Sequence, residues 1–232
     1  MKVSVLTPTK NRTEALTLCC TYVERQTHPI HEHIIEEGGT LHENLSRGLA
    51  RCTGDVVVIF EDDDHYAKWW VDWCVTYLET YEVVGEGATR YYHVPSRGYA
   101  VVGTGDNRSS LCNTAFRSSA IPLMAEAVER CTDQFIDMHF WQLVNTRGID
   151  HHCRCATGGE KKCHAPPCHK ELCGDGVPAL GVTGIKGLFG GGSSFGHQAD
   201  YYRQFHTDSR NYTRLKSWVG FADALRYMEM VV

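Results

Sequence analysis

Four consecutive acidic residues, Glu61–Asp64, directly follow the apolar run Val56–Phe60. An apolar run of this length is typical of a buried strand, so four carboxylates are expected together at its carboxyl end. Neighbouring carboxylates repel one another unless a cation or an exposed loop relieves them. Oxygen ligands favour Mg²⁺ or Mn²⁺, which also bind substrate phosphates. The run therefore predicts a divalent-cation site, with a solvated acidic turn as the alternative.

Polar residues also lie at the ends of two earlier predicted strands, Lys2–Thr7 and His33–Glu36. In open α/β sheets, ligands bind outside the carboxyl ends of the strands, so the three polar groups are expected to form one site. The candidates are Thr7, Pro8, Thr9, Asn11 and Arg12 after the first segment, Glu36, Glu37 and Gly38 after the second, and Glu61, Asp62, Asp63 and Asp64 after the third.

The composition narrows the class of protein. The 232 residues include 23 Lys and Arg against 28 Asp and Glu, which excludes a purely electrostatic nucleic-acid binder. The share of hydrophobic residues, 42%, is ordinary for a globular protein. No apolar run is long enough for a bilayer span, and the N-terminal apolar segment is too short for a signal peptide. We expect an intracellular, cytoplasmic protein without a membrane partner, in the host cytoplasm if it is viral.

A second concentration of metal-binding residue types lies between His151 and Cys173. Closely spaced thiolates in a reducing compartment are most simply explained by a structural Zn²⁺, with disulfides and unmetallated thiols as alternatives. The favoured ligands are Cys153, Cys155, Cys163, Cys168 and Cys173, with His164 and His169 as substitutes. The remaining cysteines, Cys19, Cys20, Cys52, Cys74, Cys112 and Cys131, are predicted to be reduced core residues.

Hydrophobic periodicity predicts the elements that position these residues. Strands are expected at Lys2–Thr7, His33–Glu36 and Asp55–Phe60, with a helix capped by Thr13 and a helix from Leu41 to Ala50 between them. This β-α-β-α-β order is typical of a parallel sheet with helices on its faces. The later predictions are an amphipathic stretch at Ala67–Tyr81, short strands with turns, one of them at Gly85, within Val83–Val102, a helix from Cys131 to Val144 that starts near Asp133, and a terminal helix at Trp218–Met230.

In order and spacing, about the first 65 residues resemble the nucleotide-binding half of GT-A fold glycosyltransferases of the inverting family-2 type. The resemblance is carried by VSVLTPTKNR from Val3, EEGG from Glu36 and ENLSRGLARCTGDVVVIFEDDD from Glu43. It departs from the family at Glu36-Glu37, where Asp-Asp is usual, and at Cys52, where Ala is common. The implied fold is α/β, with a Rossmann-like, mostly parallel sheet flanked by helices.

The resemblance also implies a single domain over residues 1–232. Residues 1–104 would form the nucleotide-sugar-binding half and residues 105–232 the acceptor half, with a Cys/His-rich insertion at 151–176. In this family such a domain moves a sugar from a nucleoside-diphosphate sugar, with UDP as the first candidate for the nucleotide, to an acceptor hydroxyl.

Site roles follow from the same resemblance. Base and ribose would be held by Thr7, Pro8, Thr9, Arg12, Glu36, Glu37 and Gly38, and sugar or ribose by Asp62 and Asp63. Asn44 and Arg47 would lie near the base or diphosphate, with helix capping and surface pairing as their alternative. Mn²⁺ or Mg²⁺ would be held by Asp64, Asp62 and His197, and would offset the charge that develops on the departing diphosphate.

An inverting transfer also needs a base that takes the proton of the acceptor hydroxyl. Asp133 and Asp137 are four residues apart and therefore on one face of the predicted helix. The sequence Asp137-Met-His-Phe-Trp resembles the family pattern Asp-x-x-Phe-Trp, which makes Asp137 the first choice. Asp133 is the second, and a helix cap is its alternative role. His197 follows the glycine-rich run Gly187–Gly196, which is typical of a loop that closes over a donor or of a surface linker.

The acceptor stays open among soluble molecules, and a hydroxylated base in DNA, as in phage-type modification enzymes, is one candidate. A basic and aromatic stretch supports this candidate and comprises Arg203, His206, Arg210, Tyr212, Arg214, Lys216 and Trp218.

Two other classes of protein stay open. A nucleotidyltransferase acting on sugar phosphates usually has a glycine-rich loop after the first strand, and Thr7–Arg12 contains no glycine. A non-catalytic zinc-binding interaction module leaves the first segments unexplained.

Overall fold

The structure is a computed structural model that describes residues 1–103, 108–132, 135–154, 180–188, 197–202 and 205–231. The strands in these ranges are β1 Val3–Pro8, β2 Glu32–Glu36, β3 Val56–Ile59, β4 His65–Tyr66, β5 Val83–Glu86, β6 Ala88–His93, β7 Gly98–Gly103, β8 Thr114–Arg117, β9 His151–Arg154, β10 Val182–Lys186 and β11 His206–Thr207. The α-helices are α1 Thr13–Glu24, α2 Leu41–Arg51, α3 Trp70–Leu78, α4 Ile121–Arg130, α5 Ile136–Thr146, α6 Ala199–Tyr202, α7 Thr213–Val219 and α8 Phe221–Glu229.

Two sheets organise these elements into a mixed α/β fold. The main sheet has the order β2-β1-β3-β8-β5-β9, and three of its five strand pairings are parallel. This sheet contains the predicted β-α-β-α-β unit, so that prediction is confirmed. The second sheet, β11-β7-β6-β10-β4, is mostly antiparallel and was not predicted.

Both faces of the main sheet are covered. Because side chains alternate along a strand, Val56 and Val58 of β3 face the cluster that includes α1 and α3, whereas Val57 and Ile59 face α2, α4 and α5. Helix α2 packs closely on β1, where a Cβ added at Gly48 would lie 2.1 Å from Leu6 Cδ1. The near-continuous apolar sequence of β3 thus follows from burial on both sides.

Some predicted boundaries are wrong. Arg12 is the N-cap residue of α1 and Thr13 is the first helical residue, so Thr13 does not cap the helix. The predicted terminal helix is two helices, α7 and α8, because Gly220 between them has a φ of 87°. Gly85 lies inside β5 rather than in a turn.

Within the described residues, the six scattered cysteines form no disulfide. Cys19, Cys74, Cys112 and Cys131 are buried, and Cys20 and Cys52 are partly buried. Among the described residues, none of the helices has both the length and the apolar character that crossing a bilayer requires.

His65, the first residue of β4, makes the stability of the fold depend on pH. Its ring packs edge-on against Tyr22, with ring centroids 4.9 Å apart. Burial lowers the pKa of His65 to about 4, and Arg25 and Arg90 lower it further against the opposing effect of Asp223. Since an unfolded histidine has a pKa of about 6.5, the unfolded state takes up the proton first. We therefore expect the free energy of unfolding to keep its full value above about pH 6.5. The contribution of neutral His65 to it should be lost as the pH falls from there towards 4.

Urea unfolding midpoints measured from neutral pH down to pH 4 test this expectation. His65→Gln removes the titrating group and should make the midpoint depend less on pH. His31→Gln changes an exposed histidine and should keep the wild-type dependence. Equal pH dependence of His65→Gln and the wild type would show that this histidine does not carry the effect.

Candidate active site

The loops that follow β1, β2 and β3 meet at one edge of the main sheet, as predicted. The three strands are parallel, with Pro8 opposite Glu36 and Leu6 opposite Ile59. The backbone N–H of Thr9 donates to the carbonyl of Glu36 at 2.9 Å, which ties the first loop to the second strand. We call this edge, with its three loops, the carboxyl edge.

Asn44, in the first turn of α2, holds two of these loops together. Its Nδ2 donates to the carbonyl of Thr9 at 2.9 Å, and its Oδ1 accepts from the backbone N–H of Gly39 at 3.1 Å. The Arg47 guanidinium also donates to this Oδ1. The Asn44 side chain is therefore buried and bonded at both ends, and it acts on the site by positioning the loops.

Glu36, at the end of β2, is paired with α2. Its carboxylate accepts from Arg47 Nε at 3.0 Å and from the Arg51 guanidinium. The bond from Arg51 is the main reason, and the bond from Arg47 the second, why the pKa of Glu36 is lower than its ordinary value. Its neighbours Glu37 and Gly38 have exposed positions at the carboxyl edge.

The predicted residues of the first loop face different surroundings. Thr7 is fully buried, with its Oγ1 2.9 Å from His33 Nε2, and it lies beneath the edge. Pro8 is the buried last residue of β1. Thr9, in contrast, donates its Oγ1 proton to Asp62 Oδ2 at 2.6 Å, so this side chain joins the first loop to the acidic residues.

Arg12 joins the same two loops by charge. Its Nη2 lies 2.7 Å from Asp62 Oδ1 and its Nη1 lies 3.0 Å from Asp63 Oδ2. Burial and the Asp63 charge raise the pKa of Asp62 to about 6, against the opposing effect of Arg12. The sequence placed Arg12 beside the acidic residues, and the structure brings them into contact.

Lys186, the last residue of β10, is a site residue that the sequence analysis missed. Its Nζ lies 3.3 Å from Asp63 Oδ2 and 3.0 Å from Asp64 Oδ1. Burial would raise the pKa of Asp63, but Lys186 and Arg12 outweigh it and hold that pKa well below its ordinary value. Burial and the charge of Asp64 raise the pKa of Glu61 to about 8.

His197 faces Asp63 rather than Asp62 or Asp64. The distance from His197 Nε2 to Asp63 Oδ2 is 3.5 Å. Burial and the Lys186 charge lower the pKa of His197 to about 4, so its imidazole is neutral at neutral pH. Its carbonyl oxygen lies 3.3 Å from Nε2 of His93, the residue paired with Lys186 in the second sheet.

Asp62, Asp64 and His197 do not bring three ligand atoms within 4.8 Å of one another, so as described they do not form the predicted Mn²⁺ or Mg²⁺ site. Both carboxylate oxygens of Asp62 already face Thr9 or Arg12. In the described part of the chain, the one group of acid, histidine or cysteine ligand atoms within 4.8 Å of one another is Glu61, Asp64 and Cys112. Cys112 offers sulfur, a soft ligand, whereas Mg²⁺ and Mn²⁺ favour oxygen ligands.

Of the predicted zinc ligands, Cys153 lies within the described residues. It belongs to β9, so the main sheet includes the start of the predicted insertion 151–176. Its Sγ donates to the carbonyl of Arg108 at 3.1 Å. The other predicted ligands, Cys155, Cys163, His164, Cys168, His169 and Cys173, lie outside the described residues, and the zinc site stays a prediction.

Asp137 lies in the first turn of α5, which begins at Ile136 rather than near Asp133. One turn further on, Trp141 Nε1 donates to Thr114 Oγ1 at 3.2 Å. Thr114 starts β8, which runs antiparallel to β3, so this contact lies at the carboxyl edge. The structure thus fastens α5 to the start of β8, while Asp133 lies outside the described residues.

The basic and aromatic stretch packs on the second sheet. The Arg214 guanidinium lies 5.4 Å from the centre of the Tyr99 ring, and the Trp218 ring packs edge-on against Tyr99. Lys216 lies over Phe221. The side chains of His206 and Arg210 are exposed, and Arg203 lies outside the described residues.

No protein-family model and no curated protein matches this chain. Among solved structures, it is similar to TarS of S. aureus, at 14% identity and a TM-score of 0.44 over 62% of this chain and 34% of that one. It is also similar to TarS 1–349 in complex with UDP, at 13% identity and a TM-score of 0.45 over 62% of this chain and 55% of that one. The chain thus spans about a third of one TarS structure and about half of the other.

Two further solved structures match a larger share of their own length. A197 from STIV is 16% identical with a TM-score of 0.41, over 67% of this chain and 82% of A197. A protein of Desulfovibrio desulfuricans G20 is described as a candidate nucleotide-diphospho-sugar transferase. It is 11% identical with a TM-score of 0.41, over 67% of this chain and 80% of that one.

Proposed function

We propose that this protein is a glycosyltransferase that takes a sugar from a nucleoside-diphosphate sugar bound at the carboxyl edge. The observation that carries the proposal is the contact of Arg12 with both Asp62 and Asp63 where three parallel strands end. Such strand ends are where α/β sheets bind nucleotides. The ordered resemblance of the first segments to family-2 donor halves supports the same assignment.

In the proposed reaction, the acceptor hydroxyl oxygen attacks the anomeric carbon of the donor sugar from the face opposite the diphosphate. The bond between that carbon and the diphosphate oxygen breaks, and its electron pair stays on the diphosphate. The hydroxyl proton passes to the Asp137 carboxylate. Arg12 supplies positive charge to the departing diphosphate, and the Glu36–Gly38 turn is the proposed contact for base and ribose.

A panel of UDP-, GDP- and dTDP-sugars tests the donor. We expect slow hydrolysis of one donor class and inhibition by its nucleoside diphosphate, with hydrolysis reduced in Asp62→Asn and unchanged in Asp72→Asn, which alters an exposed aspartate. Failure of every donor to bind or hydrolyse would contradict the proposal. Release of pyrophosphate from a nucleoside triphosphate and a sugar phosphate would instead indicate a nucleotidyltransferase. Absence of both activities would indicate a non-catalytic interaction module.

DNA with hydroxylated bases is the acceptor we propose for the same assay. The exposed Arg210 and Arg214 support it, because cations on one segment can neutralise phosphates. Sugar transfer is expected with hydroxylated DNA and absent with the same DNA lacking the hydroxyl groups. Equal incorporation into both DNAs would contradict this acceptor without affecting the donor assignment.

A further inference from the structure

The cationic side chains of the carboxyl edge lie nearer to solvent than its aspartates. The side chains of Arg12 and Lys186 keep 17% and 10% of their surface exposed, against 0% for Asp62, 4% for Asp63 and 0% for Asp64. An anion that enters the site therefore meets the guanidinium and the ammonium before it meets Asp62, Asp63 or Asp64. This order suits a diphosphate, which carries negative charge of its own.

Lys186 also contacts one carboxylate oxygen of Asp63 and one of Asp64, two residues of the acidic run that predicted a divalent cation. Its Nζ is 3.0 Å from Asp64 Oδ1 and 3.3 Å from Asp63 Oδ2. The backbone N–H of Ile185 donates to the same Asp64 oxygen at 3.1 Å. An ammonium and a metal ion cannot share these oxygens without strong repulsion, since both are positive and would lie within a few ångströms of each other.

Strand pairing fixes the ammonium in this position. Lys186 ends β10, and β10 pairs in parallel with β6 and antiparallel with β4. Because β4 begins at His65, directly after Asp64, the strand that carries the lysine is bonded to the chain that carries the aspartates. The contact between Lys186 and the acidic residues is thus built into the second sheet.

From these contacts we propose that Lys186 is the resident cation of the donor site, and that its ammonium, with the Arg12 guanidinium, binds the donor diphosphate in place of a divalent metal ion. The inference rests on the proposed function for its ligand, a nucleoside diphosphate. It replaces the metal expected from the sequence with a residue of this chain.

Two titrations test the inference on the full chain. The first follows Mn²⁺ binding by electron paramagnetic resonance, without any nucleotide. The wild type and Lys186→Arg should leave the signal of free Mn²⁺ unchanged, whereas Lys186→Met frees Asp63 and Asp64 and should bind the ion. Stoichiometric Mn²⁺ binding by the wild type, lost in Asp63→Asn, would overturn the inference.

The second titration measures binding of UDP and UDP-glucose by calorimetry, in EDTA and in Mn²⁺. The wild type should bind equally in both buffers. Lys186→Met should bind more than about tenfold more weakly in EDTA, because a hydrogen bond to a charged group is lost. Lys186→Arg should keep most of the affinity. Wild-type binding that disappears in EDTA would overturn the inference while leaving the proposed function intact.

The two titrations separate the two proposals. If neither probe binds in any buffer, the proposed function fails for a uridine donor, and the Mn²⁺ titration still decides whether Lys186 excludes a metal. Circular dichroism melts check that each variant folds. The wild-type arms need no substitution, so they decide the question even if Lys186→Met does not fold.

Discussion

Replacing Asp137 with asparagine lowers the rate of sugar transfer by roughly 10²–10⁴-fold, the range expected when a general base is lost. Binding of the nucleoside diphosphate stays at the wild-type level, because the donor contacts we assign come from other elements. The expected loss of transfer rate follows from the position of α5, which Trp141 fastens to the start of β8 at the carboxyl edge. Steady-state transfer rates and calorimetric donor affinities, measured side by side, check both halves of this expectation.

Asp72→Asn is the matched control for Asp137→Asn. Asp72 also lies in the first turn of a helix, α3, and its replacement removes the same favourable charge from a helix N-terminus. That loss is worth about 0.3–1 kcal/mol of stability and leaves the transfer rate unchanged. Transfer by Asp137→Asn at the wild-type rate would remove Asp137 from the catalytic role.

Replacing Arg12 with methionine has the largest expected effect on the donor site. The substitution leaves Asp62 and Asp63 buried without the guanidinium between them, and removing one partner of a buried ion pair costs about 3 kcal/mol or more. We therefore expect a lower free energy of unfolding in urea. We also expect donor affinity to fall by more than about tenfold, because one of the two cations proposed to bind the diphosphate is gone.

Arg25→Met gives the contrast for Arg12→Met. Arg25 also pairs with an aspartate, Asp223, at 3.0 Å, but 46% of its side chain is exposed. Exposed pairs contribute up to about 1 kcal/mol, so the control should lose little stability and no donor affinity. If Arg25→Met and Arg12→Met had the same effects, the special role of Arg12 at the carboxyl edge would be wrong.

The first five elements of the fold could be predicted because their signals are local. Alternating and β-branched residues predict β1 to β3, and the capping box of Thr40 and Glu43 matches the predicted start of α2. Once these strands are parallel, the convergence of Thr9, Arg12 and Asp62 follows from geometry. This part of the candidate site could therefore be predicted from the sequence.

The remaining part depends on contacts that are distant in the chain. Lys186 lies more than a hundred residues after Asp64, and nothing in its local sequence marks it as a partner of an aspartate. Its role required the pairing of β10 with β4 and β6, which periodicity does not predict. Asn44 was predicted to lie near a ligand, but its burial depends on how α2 packs against the loops.

A crystal structure of the protein with a bound nucleoside-diphosphate sugar would show which residues hold the diphosphate. We expect diphosphate oxygens within hydrogen-bonding distance of the Arg12 guanidinium and the Lys186 ammonium. The base would then lie against the Glu36–Gly38 turn. A ligand bound at another surface, with the ion pairs of Arg12 and Lys186 unchanged and no ligand atom beside them, would contradict this expectation.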